Sequence, residues 1–275
     1  MLDDDFSRFE HEGWQRVAEK YDSVWASSTR QFIPPLLDGS EVKAGMSVLD
    51  VGCGPGYVAA ASAERGARPI GLDFSSEMVA IAKNLFPSLE FRVGDAQQLP
   101  FEAVTFDRVV TNFALLHLAD PERACREALR VLKPGGRLGF TVWAQPAENA
   151  YARLIDEAID AHADLNVPVP AGPNHYLYSD REAFRQALAR AGFEGGSMVF
   201  KVHTIEWVVP DPDFVFQAER FAGVRTAGLL AAQRPETLAK IRQAIHQKVQ
   251  RYARGSRFAI PKAAYIVSVM KPSDE

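Results

Sequence analysis

Residues 48–57, Val-Leu-Asp-Val-Gly-Cys-Gly-Pro-Gly-Tyr, are built to hold a ligand against the backbone. Gly52, Gly54 and Gly56 stand at alternate positions after an apolar run of Val48, Leu49 and Val51 that is interrupted only by Asp50. Glycines reach positive φ and let a ligand approach without meeting a Cβ atom. A helix predicted from Tyr57 to Arg65, stopped by Gly66, turns its first amides toward that bend. Spacing then decides the kind of ligand. The dinucleotide fingerprint G-x-G-x-x-G/A, started at Gly52, needs glycine or alanine at position 57. Tyr57 stands there instead, and the third glycine comes one residue early. No P-loop lysine follows, so a triphosphate would lack its partner. A small nucleoside-like ligand without a pyrophosphate remains.

The elements that must position this turn alternate in type. Ala67–Asp73 reads as a second strand ending in an acid, and Ser75–Phe86 as a helix with Met78, Ile81, Ala82 and Leu85 on one face. Leu89–Val93 is a third strand, followed by Gly94-Asp95-Ala96, and Phe106–Asn112 a fourth. Asp120-Pro121 starts a helix by N-cap and N1 chemistry, Leu132-Lys133-Pro134-Gly135-Gly136 ends it, and Arg137–Trp143 is a fifth strand. Strands alternating with helices predict a parallel sheet covered on both faces. Beyond Trp143 the rhythm is less regular. Residues 148–163 and Ser179–Gly192 read as helices, the second capped by Ser179 or Asp180; Met198–Val209 is a strand, 211–254 is mainly helical, and Ala263–Met270 is a final strand.

Composition narrows the class of protein. With 275 residues, 47% hydrophobic and 24% charged, the chain can bury a sizeable core. No apolar run approaches the ~18 residues that span a bilayer, and the acidic start Met-Leu-Asp-Asp-Asp is unlike a secretory signal. The two cysteines, Cys53 and Cys125, offer neither metal-ligand spacing nor a disulfide framework, which suits a reducing cytoplasm and gives zinc or arsenic-thiolate chemistry little support. A net charge of −4 argues against nucleic acid as partner. One segment departs from that average: Arg234–Lys262 holds eight Lys/Arg against Glu236 alone. It reads as an amphipathic helix with a basic wet face, or as an attractor for an anionic substrate.

Five landmarks stand in order: Asp50-x-Gly52-x-Gly54-x-Gly56, Asp73, Gly94-Asp95-Ala96, Asn112 and Leu132-Lys133-Pro134-Gly135-Gly136. Together they resemble the ubiquinone/menaquinone-biosynthesis-type branch of the class I S-adenosylmethionine-dependent methyltransferases, over roughly residues 45–144 and more weakly through 179–209 and 262–272. The resemblance implies an α/β, Rossmann-like, doubly wound seven-stranded sheet, mostly parallel with an antiparallel last strand, plus helical lid insertions. It implies one domain over 1–275, with a core at about 36–144, 179–209 and 262–272 and lid segments at about 1–35, 145–178 and 210–261.

The same resemblance assigns the cofactor site. Gly52, Gly54 and Gly56 would admit the methionyl part of S-adenosylmethionine, with Asp50 holding the loop. Asp73 would accept from the ribose hydroxyls, and its alternative is a helix cap. Asp95 would accept from the adenine amino group while the Ala96 or Gln97 amide meets the ring, the alternative being a turn former. Phe74 and Met78 would pack on the nucleoside or serve as core, and the Asn112 carbonyl would meet the methionyl amine. Tyr21 falls in helical residues that resemble an N-terminal lid.

A sulfonium is an excellent leaving group, so the transfer needs a nucleophile held in line with water excluded. A base matters only for a poorly ionised hydroxyl or an acidic C–H. The candidates are His117, His175, Tyr176 and His203, although a lone histidine in such a position is more often structural than a base. Aromatics in the lid (Tyr151, Tyr176, Tyr178, Phe214, Phe216, Phe221) predict a small aromatic or apolar acceptor methylated at O, C or N. No Asn-Pro-Pro-Tyr motif for exocyclic amino groups occurs. The expected product is S-adenosylhomocysteine, the expected setting a cytoplasmic monomer or homodimer without metal, nucleic acid or membrane insertion. A SAM-binding protein of the same fold with a non-methylating or regulatory role is the alternative.

Overall fold

The structure is a computed structural model that describes residues 4–174 and 176–273. The N-terminal part is helical: α1 (Asp5–Val24), α2 (Ala26–Thr29) and α3 (Ile33–Gly39). The alternating part follows as β1 (Ser47–Val51), α4 (Tyr57–Glu64), β2 (Arg68–Asp73), α5 (Ser76–Leu85), β3 (Glu90–Val93), β4 (Phe106–Asn112), α6 (Pro121–Val131) and β5 (Leu132–Trp143). The remainder is α7 (Ala150–His162), α8 (Arg181–Arg190), β6 (Val199–Val209), α9 (Asp213–Phe221), α10 (Arg225–Ala231), α11 (Pro235–Val249), β7 (Ala253–Arg254) and β8 (Arg257–Met270).

Local chemistry sets these boundaries. Asp120 Oδ1 accepts from Arg123 N at 2.8 Å and Pro121 opens α6, as expected from the Asp-Pro pair. Of the two caps weighed for α8, Asp180 is the one used: its Oδ1 accepts from Ala183 N at 2.8 Å. Gly66 ends α4 at φ +79°, which a side chain resists.

The strand order is β3-β2-β1-β4-β5-β8-β6, with β7 paired to β8. Strands β1 to β5 pair in parallel, and β8 runs antiparallel to β5, β6 and β7. The sheet therefore has eight strands where seven are expected; the extra one is a two-residue hairpin partner at the start of β8. Parallel strands buried on both faces carry apolar residues at consecutive positions. Leu49 and Val109 join the core that lies under α6 and α8, while Val48 and Val110 join the one under α3 and α4.

One difference from the sequence expectation shapes the site. β8 begins at Arg257, six residues before Ala263, and pairs with β6 from Val209↔Phe258 onward, whereas β5 leaves it at Trp143↔Ala264. Past Trp143 the β6–β8 pair is thus a two-stranded arm that carries Trp207 and Ile260 into a separate apolar cluster with Phe216, Ile241 and Ile245 of the lid helices. Pro261 and Lys262 sit within this arm and interrupt the apolar pattern that marks the rest of the strand. Among the described residues no helix is long and apolar enough to cross a membrane.

The Leu132–Gly136 landmark works in the fold rather than only ending a helix. Lys133 Nζ donates to Asp107 Oδ1 at 2.9 Å, while Ser47 N and Oγ donate to Asp107 Oδ2 at 2.8 and 2.7 Å. This clamp ties the entrance of β1 to β4 and β5. Partial burial pushes the Asp107 pKa up, but the bonds from Ser47 and Lys133 outweigh it and bring the carboxyl down to about 2. A folded pKa below the unfolded one, about 3.9, stabilises the fold above that value and ceases to do so as pH falls toward 2. Asp107→Asn is expected to lower stability near neutral pH, and its denaturation midpoint should converge with that of the wild type as pH drops from about 4 toward 2. A constant gap between the two across that window would remove the clamp's role.

Candidate functional site

The carboxyl ends of β1, β2 and β4 open onto one cavity of about 610 Å³, roofed by α1, α7 and α10 and by the segment between α7 and α8. Gly52 (φ +66°) and Gly54 (φ +49°) line it. A Cβ at Gly54 would meet nothing within 4 Å, so its bare face looks into open space. At Gly52 a Cβ would lie 2.3 Å from that of Ala114, so this glycine lets two loops touch. Gly56 (φ +87°) faces away from the cavity, where a Cβ would meet the Phe91 ring at 2.7 Å.

Asp50 lies behind the turn. It is fully buried, and its Oδ2 accepts from Ala59 N at 3.0 Å, tying strand to helix. Burial, only partly offset by that bond, pushes its carboxyl up to about 8. Asp73, at the end of β2, accepts from Gly54 N at 2.8 Å through Oδ2 and from Ser75 N at 2.9 Å through Oδ1. The cap of α5 is Ser75, whose Oγ accepts from Met78 N, so Asp73 does not serve as that helix's side-chain cap. Asp73 lines the cavity, and desolvation raises its pKa.

Next to it, Asp95 Oδ1 accepts from Gln97 N at 2.8 Å and Gln97 Nε2 at 3.2 Å. The turn reading of Asp95 therefore coexists with its place on the cavity wall, and the Gln97 amide is committed to it. Phe74 and Met78 line the same end, with Ala96 and Gln97 opposite. Helix α1 closes over them: the His11 ring meets Phe74 edge-on at 5.4 Å, and Gln15 Oε1 accepts from Ser75 Oγ at 2.6 Å and Glu77 N at 3.1 Å.

At the end of β4, Thr111 and Phe113 line the cavity while the Asn112 side chain turns aside, donating to Thr29 O and accepting from Thr141 Oγ1 at 2.6 Å. Phe113 is held at φ +62°, a conformation that a side chain resists, by its amide's bond to Thr141 Oγ1 and by stacking on Trp143 at 3.9 Å. Tyr21 lines the cavity with its hydroxyl 3.2 Å from Thr29 Oγ1, and burial raises its pKa.

The four acid-base candidates separate. His117 lines the cavity, its Nδ1 2.9 Å from Oε2 of Glu10, which also accepts from Trp14 Nε1 at 3.0 Å. Tyr176 lines it too and donates to Asp156 Oδ2 at 2.8 Å. His203 lies outside it on β6, edge-on to Phe32 at 5.6 Å. His175 lies outside the described residues. Of the lid aromatics, Tyr151 and Tyr176 face the cavity; Tyr178 packs in the main core, Phe214 and Phe216 in the lid's own core, and Phe221 is exposed.

Sequence reasoning missed the most unusual group. Lys262, counted there as part of a basic wet face, is 1% exposed and lines the cavity. Other members of that segment are paired on the surface, Arg242 with Asp213 and Lys248 with Glu157. Around Lys262 Nζ stand the rings of Tyr151 (4.4 Å), Trp143 (4.5 Å), Trp25 (4.6 Å) and Trp207 (4.7 Å). Glu219 is buried nearby and accepts from Tyr151 Oη at 2.5 Å. One signal was present: a lone lysine in the apolar run Ala-Ile-Pro-Lys-Ala-Ala-Tyr-Ile-Val. Among the described residues no group of three or more His, Cys, Asp or Glu side chains is placed to hold a metal ion.

The wall suits the cofactor that the sequence motifs imply. A bare backbone at Gly54, a carboxylate already aimed at it, and a second carboxylate beside Ala96 on the cavity wall suit a methionyl group, a diol and an aminopurine in turn. Asp73→Ala is expected to weaken S-adenosylmethionine by about 2–3 kcal/mol, the loss of charge-assisted hydrogen bonds, in isothermal titration. An unchanged dissociation constant would take Asp73 out of the site.

Comparison with known proteins agrees with this geometry. Residues 49–140 match a family described as Methyltransferase domain. The demethylmenaquinone methyltransferase of Paenarthrobacter aurescens (strain TC1) is 33% identical over 193 residues, 64% of this chain and 75% of that protein. Its counterpart in Renibacterium salmoninarum is 32% identical over 170 residues, 59% and 70% of the two chains. In structure, the phosphoethanolamine N-methyltransferase 2 of Haemonchus contortus, solved with S-adenosylhomocysteine, superposes with a TM-score of 0.56 at 19% identity, over 98% of this chain and 61% of that one. The chain belongs to the class I S-adenosylmethionine-dependent methyltransferases of the ubiquinone/menaquinone-biosynthesis type.

Proposed function

We propose that this methyltransferase acts on a small aromatic or otherwise apolar metabolite and places the methyl group on O, C or N. The observation that carries this reading is the composition of the cavity beyond Phe113. Its far end is walled by Trp25, Trp143, Tyr151, Ile155, Val167 and Leu229, with the lid helices α7 and α10 over it. Sites of this kind bind through apolar area and orient through a few polar groups. The relatives named for demethylmenaquinone support the same class of acceptor.

S-adenosylmethionine supplies an activated methyl group on a sulfonium. The protein's task is positioning and exclusion of water. Asp73, Asp95 and the Gly52–Gly54 backbone would hold the nucleoside and methionyl parts, with Ala96 left to meet the purine because the Gln97 amide is engaged. Phe113, with its strained backbone, would fix the wall where the two ligands meet. Tyr21, Trp14 and His117 reach this junction from the lid and the β4 side. The protein would work in the cytoplasm, as a monomer or homodimer.

The test is methyl transfer from labelled S-adenosylmethionine across a panel of acceptors. Aromatic and apolar hydroxyl, amine and carbon acceptors should turn over; activity confined to highly polar or polymeric acceptors would reject the reading. Val167→Trp, which fills the far end, should abolish transfer while S-adenosylhomocysteine binding stays within about twofold, less than 0.5 kcal/mol.

A further inference from the structure

Lys262 belongs to the acceptor end of the cavity, and neither cofactor binding nor the fold explains its charge. Its place in the β6–β8 arm, opposite Ile205, would be filled by an apolar side chain without the cost of taking an ammonium out of water. Among the described residues it forms no ion pair, and Ser28 Oγ at 3.3 Å is its one hydrogen-bond acceptor. An ammonium carries three donors, so the others face aromatic rings and the cavity. The Trp143 ring, 4.5 Å from Nζ, also stacks on Phe113 at 3.9 Å. Trp143 therefore links Lys262 to Phe113, at the strand end where the methyl group is expected.

We propose that Lys262 receives the acceptor's proton and anchors the resulting oxyanion, so that the acceptor is a phenol or enol. This rests on the apolar-acceptor reading above and narrows it to one chemical class and one residue. Burial pushes the Lys262 pKa down to about 7, with Glu219 pulling it partly back, so a neutral amine is available near neutral pH. The groups around it are Glu219 from α9 and Tyr151 from α7, bonded to each other, with Asp156 and Tyr176 beyond them. Trp25, Trp143, Trp207 and Ser28, from the other elements, do not titrate in this range.

In the step itself the acceptor's O–H bond breaks and its proton forms a third N–H bond on Lys262 Nζ. The electron pair left on the acceptor, at oxygen or at a conjugated carbon, forms the bond to the methyl carbon as the carbon–sulfur bond breaks and its pair stays on sulfur. Where carbon attacks, the hydrogen displaced from it leaves to water as a proton. Four ring faces stabilise the ammonium, and its burial strengthens its attraction for the oxyanion.

The experiment uses the full chain saturated with S-adenosylhomocysteine and 4-nitrophenol as probe, at a pH where the free phenol is mainly protonated. The wild type should show the phenolate absorption band on binding. Lys262→Met should lose the band and bind the probe at least about tenfold more weakly, with S-adenosylhomocysteine affinity unchanged by calorimetry. The neutral phenol spectrum in the wild type, or the band persisting in Lys262→Met, would overturn the proposal; the wild-type spectrum decides even where the variant fails to fold. An active wild type that methylates apolar acceptors without the band sinks the role of Lys262 alone. S-adenosylhomocysteine binding with no turnover of any apolar acceptor sinks the acceptor reading and this role with it.

Discussion

The site depends on one carboxylate and the two backbone amides that it accepts. Asp73 reaches from the end of β2 to Gly54 N in the neighbouring turn and to Ser75 N at the head of α5. This fixes the middle of the glycine turn, while Gly52 N and Cys53 N donate to Leu72 O and Gly56 N to Cys53 O at its two sides. A buried carboxylate needs such donors, since an uncompensated charge would pick up a proton. The same two amides leave the turn's bare face toward the cavity, so structural support and ligand readiness come from one arrangement.

Around that fixed edge the lid is a second structure with its own core. Trp207 and Ile260, carried past the end of β5 by the β6–β8 arm, pack with Phe216 and Ile241 of the lid helices. Helix α1 is latched instead beside Asp73 and Phe74, through Gln15 on Ser75 and Glu77. The cavity thus has two ends closed by different elements, a polar one against β2 and β3 and an aromatic one against the arm. Buried carboxyl groups stand along it: Glu10 holds His117 and Trp14, and Glu219 holds Tyr151 beside Lys262.

Most of the α/β part was legible along the chain because its signals are local. Asp120-Pro121 caps α6, Gly66 stops α4, and Phe106–Asn112 is a strand to the residue. The glycine spacing also separated a nucleoside-like ligand from a dinucleotide before any fold was known. Two landmarks were read with less than their full role. Gly56 looked like a third ligand contact but makes room for Phe91, and the Lys133 segment looked like a helix stop but clamps Asp107. Both differences turn on partners 26 or more residues away, which spacing does not reveal.

By itself the sequence determined the parallel sheet and the order of its landmarks, because period, caps and glycine positions act over a few residues. Only the tertiary structure decided which lid aromatics face inward, that Tyr178 and Phe216 are core while Tyr151 and Tyr176 are wall, and that Lys262 leaves the basic segment for a cage of four rings. Burial is the physical reason. It is a property of what lies across space from a side chain, and a lysine in an aromatic box and one in water have the same neighbours in sequence.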